Sequence, residues 1–159
     1  MSRLYFNPGE IFAMAQEIER TGAQFYRAAS EQAVLADMRA LLLELADMED
    51  DHEKTFAALK KELPLQEGRE APYDEEAALY LQAWADGHVF AQKAGPLTGK
   101  ETREAVLKIA IGLEKDSIAF YVGIKQAIPP GWGQTKIDAI IKEEMGHIRI
   151  LGNKLASAS

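Results

Sequence analysis

The feature that most constrains the fold is an internal repeat with an offset of 95 residues. In each half, a Glu is followed seven positions later by a Tyr and 30 positions later by Glu-x-x-His. The repeat predicts a duplicated helix pair that folds about a pseudo-twofold axis and brings these side chains to one place. The matching pairs are Ala15 and Ala110, Glu19 and Glu114, Phe25 and Phe120, Tyr26 and Tyr121, Glu49 and Glu144, and His52 and His147.

The spacing of apolar residues predicts long α-helices and no β-strands. Asn7, Pro8 and Glu10 form a helix start with a capping box, and Thr98 with Glu101 predicts a second capping box. The first predicted helix begins at Asn7 and the second spans 37–63, followed by a loop over 64–72. A short helix over 74–90 and a break at Gly95-Pro96 come next. Two more helices follow, one from Thr98 to about Ile128 and the last over 134–155. This order predicts one all-α domain over 1–159, a four-helix bundle whose halves, 7–63 and 98–156, are joined through the short helix.

Composition narrows the classes of function. The chain has 159 residues, of which 47% are hydrophobic, and a formal net charge of −7, so nucleic acid and anionic membranes would be repelled and neither is an expected partner. Cysteine is absent, which excludes disulfides, thiolate catalysis, zinc–thiolate sites and iron–sulfur clusters in this sequence. A metal site here must therefore use Glu, Asp and His. No signal-peptide core or apolar run of membrane-spanning length is present, so we expect a cytoplasmic protein.

The repeated Glu and His residues have the spacing of a two-metal site. Each Glu-x-x-His places both side chains on one helix face, and four Glu with two His from four helices is a di-iron or di-manganese arrangement. Carboxylates that interrupt apolar stripes are costly to bury unless a metal ion neutralises them. We therefore predict a site for two iron ions, with manganese or zinc as alternatives. Its predicted ligands are Glu19, Glu49, His52, Glu114, Glu144 and His147. Tyr26 and Tyr121 lie two turns after a candidate ligand and are predicted to hydrogen-bond a ligating carboxylate.

Other acidic and imidazole groups are weaker candidates. Glu143 lies four residues before His147 and could face inward, but its repeat partner is Met48, which argues against that role. The repeat also disfavours Glu17, whose partner is Gly112, and His88 lacks the Glu-x-x-His motif. Solvent exposure or salt bridges are the expectation for the remaining nearby acids, which are Asp50, Asp51, Glu53 and Asp116.

Four segments resemble the rubrerythrin-like branch of the ferritin-like superfamily: ERTGAQFY from Glu19, EDDH from Glu49, EKDSIAFY from Glu114 and EMGH from Glu144. The resemblance extends to the short helix containing ALYLQAWADGHVF. It implies that the six repeated residues bind two iron ions, with Glu49 and Glu144 as the bridging carboxylates. This sequence departs from the rubrerythrin pattern in two ways. It lacks the cysteine-ligated rubredoxin domain, and it has Ser117 where rubrerythrins usually have an extra carboxylate.

The resemblance implies a di-iron oxidoreductase that reduces hydrogen peroxide or dioxygen. An external donor such as a rubredoxin or a flavoprotein would supply electrons. The alternatives are a ferroxidase that handles or stores iron, a manganese catalase-like protein, and a metal-binding module without turnover. Large apolar residues on the short helix, namely Leu79, Tyr80, Trp84 and Phe90, predict a homodimer, built from intact bundles or from exchanged helix pairs.

Overall fold

The computed structural model describes residues 7–63, 74–87 and 97–157. These residues form five α-helices and no β-strand, which confirms the predicted all-α class. The helices are α1 (Pro8–Gln32), α2 (Ala36–Glu62), α3 (Glu75–Gly87), α4 (Arg103–Ala127) and α5 (Gln134–Ser157). The predicted loop over 64–72, the break at Gly95-Pro96, and residues 88–90, including His88 and Phe90, lie outside the described residues.

Local signals determine where α1 begins. The Asn7 side chain accepts a hydrogen bond from the Glu10 amide at 2.8 Å, and the Asn7 amide donates to the Glu10 carboxylate at 2.9 Å. The predicted capping box is thus confirmed, with Pro8 in the first turn, where its missing amide hydrogen is not needed.

The predicted capping box at Thr98 is wrong, because α4 begins four residues later. Gly99 has a φ of 81°, so the chain makes a turn there, and Glu101 accepts hydrogen bonds from the amides of Thr98 and Gly99 within that turn. Thr102 is the residue that caps α4, and its hydroxyl accepts from the Ala105 amide at 3.0 Å.

The four long helices pack as two pairs, α1 with α2 and α4 with α5, and the pairs meet through α1–α4 and α2–α5 contacts. The two connections within the pairs are short, and Gly133 lies in the second one. Its φ is 113°, and a Cβ there would lie 2.6 Å from the Leu59 side chain on α2, so this position requires glycine. Close packing at this end of the bundle fixes α5 against α2.

The short helix α3 lies on α4. Trp84 packs on Phe120 of α4 with ring centroids 4.9 Å apart and ring planes tilted by 52°. A Cβ at Gly123 would lie 2.7 Å from the side chains of Leu81 and Tyr80. Trp84 therefore packs against the bundle, whereas Leu79 and Tyr80 stay 44% and 45% exposed. Within the described part of the chain, no helix combines the length and apolarity that crossing a bilayer would require.

Candidate metal centre

Each of the four long helices contributes buried polar groups to the middle of the bundle. The periodicity that buries the apolar stripe also buries the Glu and His residues within that stripe, because they occupy the same helix face. All six predicted ligands are 3% exposed or less. They are Glu19 on α1, Glu49 and His52 on α2, Glu114 on α4, and Glu144 and His147 on α5.

These six residues form two overlapping groups of donor atoms. One group contains Glu19, Glu49, His52 and Glu144, and the other contains Glu49, Glu114, Glu144 and His147. Within each group the candidate ligand atoms lie within 4.8 Å of one another, a separation that one metal ion can span. Glu49 and Glu144 belong to both groups. A carboxylate has two oxygens, so these two residues have the placement required of bridging ligands.

Both imidazoles direct Nδ1 towards the carboxylates. His52 Nδ1 lies 3.5 Å from Glu19 Oε2 and 3.4 Å from Glu144 Oε1. His147 Nδ1 lies 3.4 Å from Glu49 Oε1, 3.3 Å from Glu114 Oε1 and 2.9 Å from Glu144 Oε2. The two rings are nearly parallel, with centroids 6.0 Å apart. Each ring therefore faces its own group of donors through the same nitrogen.

The hydrogen bonding of these atoms is incomplete within the protein. In the described residues, the buried side-chain atoms without a hydrogen-bond partner all belong to the six residues, apart from the amide of Gln32. They include Nδ1 of both histidines and both oxygens of Glu144. Buried polar atoms are normally satisfied, and oxygen and imidazole donors converging on one place suit iron or manganese. The residues present therefore fit a two-metal centre.

Two tyrosines hold carboxylates across the repeat. The Tyr26 hydroxyl on α1 donates a hydrogen bond to Glu114 on α4, and the Tyr121 hydroxyl on α4 donates to Glu19 on α1. Sequence spacing placed each Tyr on the same face as the Glu of its own helix, but each one binds the Glu of the other half. Burial, followed by the charge of the bonded Glu, raises the pKa of both phenols well above 10, so both remain donors.

Small residues make room for the carboxylates. A Cβ on Gly22 would lie 3.0 Å from Glu49 Oε2, so glycine at this position of α1 allows the Glu49 carboxylate to approach. Its repeat partner Ser117 is buried and donates a hydrogen bond to the Leu113 carbonyl at 3.0 Å. Ser117 is thus satisfied by its own helix. It supplies no carboxylate where the resemblance places an extra one.

Without metal, the cluster retains protons. Burial, followed by the charges of Glu114 and Glu49, raises the pKa of Glu144 to about 8. Burial alone would lower the pKa of His52 and His147, but close contacts with the carboxylates outweigh it and raise both to about 12. Burial also raises the pKa of Glu19 and Glu49. At neutral pH, therefore, protons offset part of the negative charge of the four carboxylates.

Two divalent cations would balance the charge of the same cluster. Four ionised carboxylates carry four negative charges, and two neutral imidazoles add none. Two ions of charge +2 neutralise this set completely and replace the protons held by His52, His147 and Glu144. Complete neutralisation removes the cost of burying the carboxylates.

Glu143 belongs to neither group of donors, but it contacts one of the candidate ligands from outside the cluster. Its Oε2 lies 2.7 Å from His52 Nε2, while its side chain stays half exposed, in agreement with the repeat, which argues against an inward role. It also lines an open groove of about 580 Å³ between α2 and α5, together with Met48, Asp51 and His52. This contact joins two helices, so spacing along one helix does not predict it. The repeat does not predict it either, because Met48 occupies the matching position.

The remaining acids occupy the surface. Glu53 and Glu17 pair with Arg20 at 2.9 Å and 3.1 Å, Asp51 pairs with Lys54 at 3.2 Å, and Asp50 pairs with Arg27. Asp116 is not part of either group of donors. These placements agree with the expectation of salt bridges for Asp50, Asp51 and Glu53.

Comparison with known proteins identifies the family. The model of the rubrerythrin family matches residues 10–155, which is nearly the whole chain. The chain belongs to the rubrerythrin family. Rubrerythrin-family membership implies a di-iron carboxylate centre, and the two donor groups described above are where this chain has suitable residues.

A solved structure supports the same assignment. The chain superposes on a Thermotoga maritima protein, provisionally described as a ferritin-like diiron-carboxylate protein, with a TM-score of 0.71 and 25% sequence identity. The match covers 99% of this chain and 100% of that one. This agreement confirms the ferritin-like bundle of this rubrerythrin-family chain. Among curated proteins, none matches it significantly.

Proposed function

We propose that this chain is a non-haem di-iron redox protein that reduces hydrogen peroxide or dioxygen with electrons from an external donor. The observation that supports this function most directly is the pair of buried donor groups sharing Glu49 and Glu144. When bound there, two ferrous ions would supply one electron each. Two electrons, together with two protons, reduce one molecule of hydrogen peroxide to two molecules of water. Such a reaction would remove peroxide during oxidative stress.

The protein residues in this proposal bind and position. Glu19 and His52 would hold one ion, Glu114 and His147 would hold the other, and Glu49 and Glu144 would bridge them. Tyr26 and Tyr121 keep Glu114 and Glu19 in place through their hydroxyl hydrogen bonds. The groove beside His52 is open to solvent and gives small oxidants a route towards the cluster.

Re-reduction requires a second protein. The chain contains no cysteine, so it holds no cysteine-ligated iron that could deliver electrons. A rubredoxin or a flavoprotein is the proposed donor. A ferroxidase that handles iron is the alternative, and the same cluster would serve it.

Rapid mixing of the anaerobic ferrous protein with peroxide and, separately, with dioxygen tests the proposal. We expect fast oxidation by at least one of these, with repeated turnover when a reduced rubredoxin or flavoprotein is added. The double variant Glu49→Ala, Glu144→Ala should lose the reaction, whereas Glu44→Ala, which removes an exposed carboxylate of α2, should retain it. Oxidation of many irons per chain by dioxygen, without a need for a donor, would favour the ferroxidase instead.

A further inference from the structure

The two halves of the centre are alike in their inner residues and differ in what stands behind each histidine. Around the cluster, each half supplies two Glu, one His and one Tyr at matching repeat positions. Behind His52, Nε2 meets the Glu143 carboxylate at 2.7 Å. Behind His147, Nε2 is buried and has no hydrogen-bond partner among the residues that the structure describes.

The contact with Glu143 prepares His52 as a ligand. A carboxylate facing Nε2 accepts a hydrogen bond from Nε2–H, and that places the lone pair of a neutral imidazole on Nδ1. Nδ1 is the atom that faces Glu19 and Glu144, at 3.5 Å and 3.4 Å. Glu143 therefore selects the tautomer and fixes the ring orientation that metal binding requires.

His147 lacks this support. The repeat position equivalent to Glu143 is Met48, whose thioether is a weak hydrogen-bond acceptor and carries no charge. Nε2 of His147 therefore faces no acceptor in the described part of the chain while Nδ1 faces the carboxylates. The Nε2–H group of His147 thus lacks the acceptor that fixes the tautomer and ring orientation of His52.

Solvent access also differs between the two histidines, and this difference favours His52 as well. The groove of about 580 Å³ between α2 and α5 is lined by His52 and Glu143, and His147 is not among its lining residues. The Glu143 side chain is 50% exposed and carries a negative charge to the solvent side of His52. This groove therefore opens on the His52 side of the centre.

We propose that Glu143 makes the two metal positions unequal, so that the position containing His52 fills first and binds its ion more tightly than the position containing His147. This inference rests on the metal centre of the proposed function. Glu143 acts in it as a positioning residue for His52. Loss of a carboxylate that supports a ligating histidine typically weakens metal affinity by roughly 10–100-fold.

Anaerobic titration of the metal-free protein with Co²⁺ tests the inference without any redox reaction. Visible absorption of bound Co²⁺ follows each step, and equilibrium dialysis with a competing chelator gives stoichiometry and affinity. For the natural sequence we expect two ions per chain in two resolved steps. Glu143→Ala should weaken the first step by roughly 10–100-fold. Glu143→Gln keeps an acceptor oxygen for Nε2–H and should recover part of the loss.

Asp51→Ala is the matched control, because it removes an equal charge from the same groove while its carboxylate binds Lys54. We expect it to leave the first step nearly unchanged. Glu143 is half exposed, so Glu143→Ala should fold, and an unaltered metal-free melting temperature verifies this. Equal weakening by both variants would overturn the role of the hydrogen bond. Two ions bound with one affinity in every variant would overturn the inequality and leave the centre intact, whereas failure of the natural protein to bind two ions would overturn the centre itself.

Discussion

At the scale of single residues, Glu49 and Glu144 have a special place because each lies in both groups of donors. Neither group is complete without them. Each remaining ligand belongs to one group only, so its loss should affect one ion more than the other. This difference gives the bridging residues a distinct signature in metal content.

The first prediction concerns that signature. The double variant Glu49→Ala, Glu144→Ala should fail to retain two iron ions per chain after anaerobic reconstitution, because both groups lose half of their donors. Metal analysis of the desalted protein measures this. The control variant Glu44→Ala, Asp138→Ala removes two exposed carboxylates from the same two helices and should retain both ions. Full binding by the Glu49 and Glu144 variant would contradict the assigned ligands.

The second prediction concerns a tyrosine. Tyr121→Phe preserves the ring, which packs on Phe56 with centroids 4.9 Å apart, but removes the donor to buried Glu19. An unsatisfied buried acceptor costs about 1–3 kcal/mol, so the free energy of unfolding of the metal-free protein should fall by about that amount. Denaturant titration measures the change.

Tyr80→Phe is the control for this measurement. The Tyr80 hydroxyl donates to the Ala119 carbonyl at 2.8 Å, but its side chain is 45% exposed and water can replace the bond. Its loss should cost about 1 kcal/mol or less. Equal effects of the two variants would mean that the buried bond to Glu19 has no special weight.

At the scale of helices, the position of α3 depends on one glycine of α4. A Cβ at Gly123 would approach Tyr80 and Leu81 to 2.7 Å, closer than real contacts allow. Gly112, in the same helix, has open space around the equivalent atom. The two glycines therefore separate helix propensity from close packing.

The third prediction uses this pair. Gly112→Ala should stabilise the protein by about 0.5–1 kcal/mol, because alanine is the better helix former. Gly123→Ala has the same intrinsic gain but forces α3 away from α4, and overpacking costs about 1–3 kcal/mol, so a net loss is expected. Denaturant titration of both variants measures the difference. An equal gain in both would show that α3 does not pack closely on α4.

At the scale of the whole molecule, stability without metal should depend on pH. The folded pKa of His52 and His147 is about 12, against 6.5 for ordinary histidine, and that of Glu144 is about 8, against 4.5. The folded protein therefore binds more protons than the unfolded chain at any pH that lies between the ordinary pKa of these groups and their folded pKa. The contribution of Glu144 to the free energy of unfolding is lost as the pH rises through 8. The contribution of the two histidines is lost as the pH rises through 12.

The fourth prediction follows from these signs. The melting temperature of the metal-free protein should fall from about pH 6 to about pH 9, because the extra protons are progressively lost. Metal ions replace the same protons, so the increase in melting temperature on saturation with ferrous iron should grow over this range. Anaerobic calorimetry of both forms measures the gap. A gap that shrinks with rising pH would contradict the assigned protonation of the centre.

The fifth prediction concerns assembly. Leu79, Tyr80 and Val122 are 44–48% exposed on α3 and on α4, which α3 contacts, and we predict that such apolar groups support a homodimer. Light scattering at micromolar concentration should give twice the chain mass, and a monomer mass would contradict the prediction. Tyr80→Lys, placed within this patch, should weaken the dimer, whereas Lys154→Glu, on α5, should not.

A mixing experiment distinguishes the two forms of dimer. A chain lacking Glu19, Glu49 and His52 is refolded together with a chain lacking Glu114, Glu144 and His147. Exchanged helix pairs would restore one complete two-metal site per heterodimer. Intact bundles side by side would leave every site with three ligands, and tight binding of two ions would not return.

The helical class, the start of α1 and the six residues that meet in the bundle are predictable from the amino-acid sequence alone. Helix caps and apolar stripes act within one or two turns, and a repeat transfers the placement of one half to the other. Thr98 shows the limit of local signals, because the left-handed Gly99 closes a turn where the capping pattern predicted a helix.

The contacts between side chains of different helices, by contrast, follow from how the helices pack. Tyr26 binds Glu114 and Tyr121 binds Glu19, each in the opposite half, although same-helix spacing places each Tyr on the face of its own Glu. Glu143 reaches His52 from another helix, at a position where the repeat has Met48. Contacts of this kind depend on the distance and rotation between packed helices, which the period of a single helix does not contain.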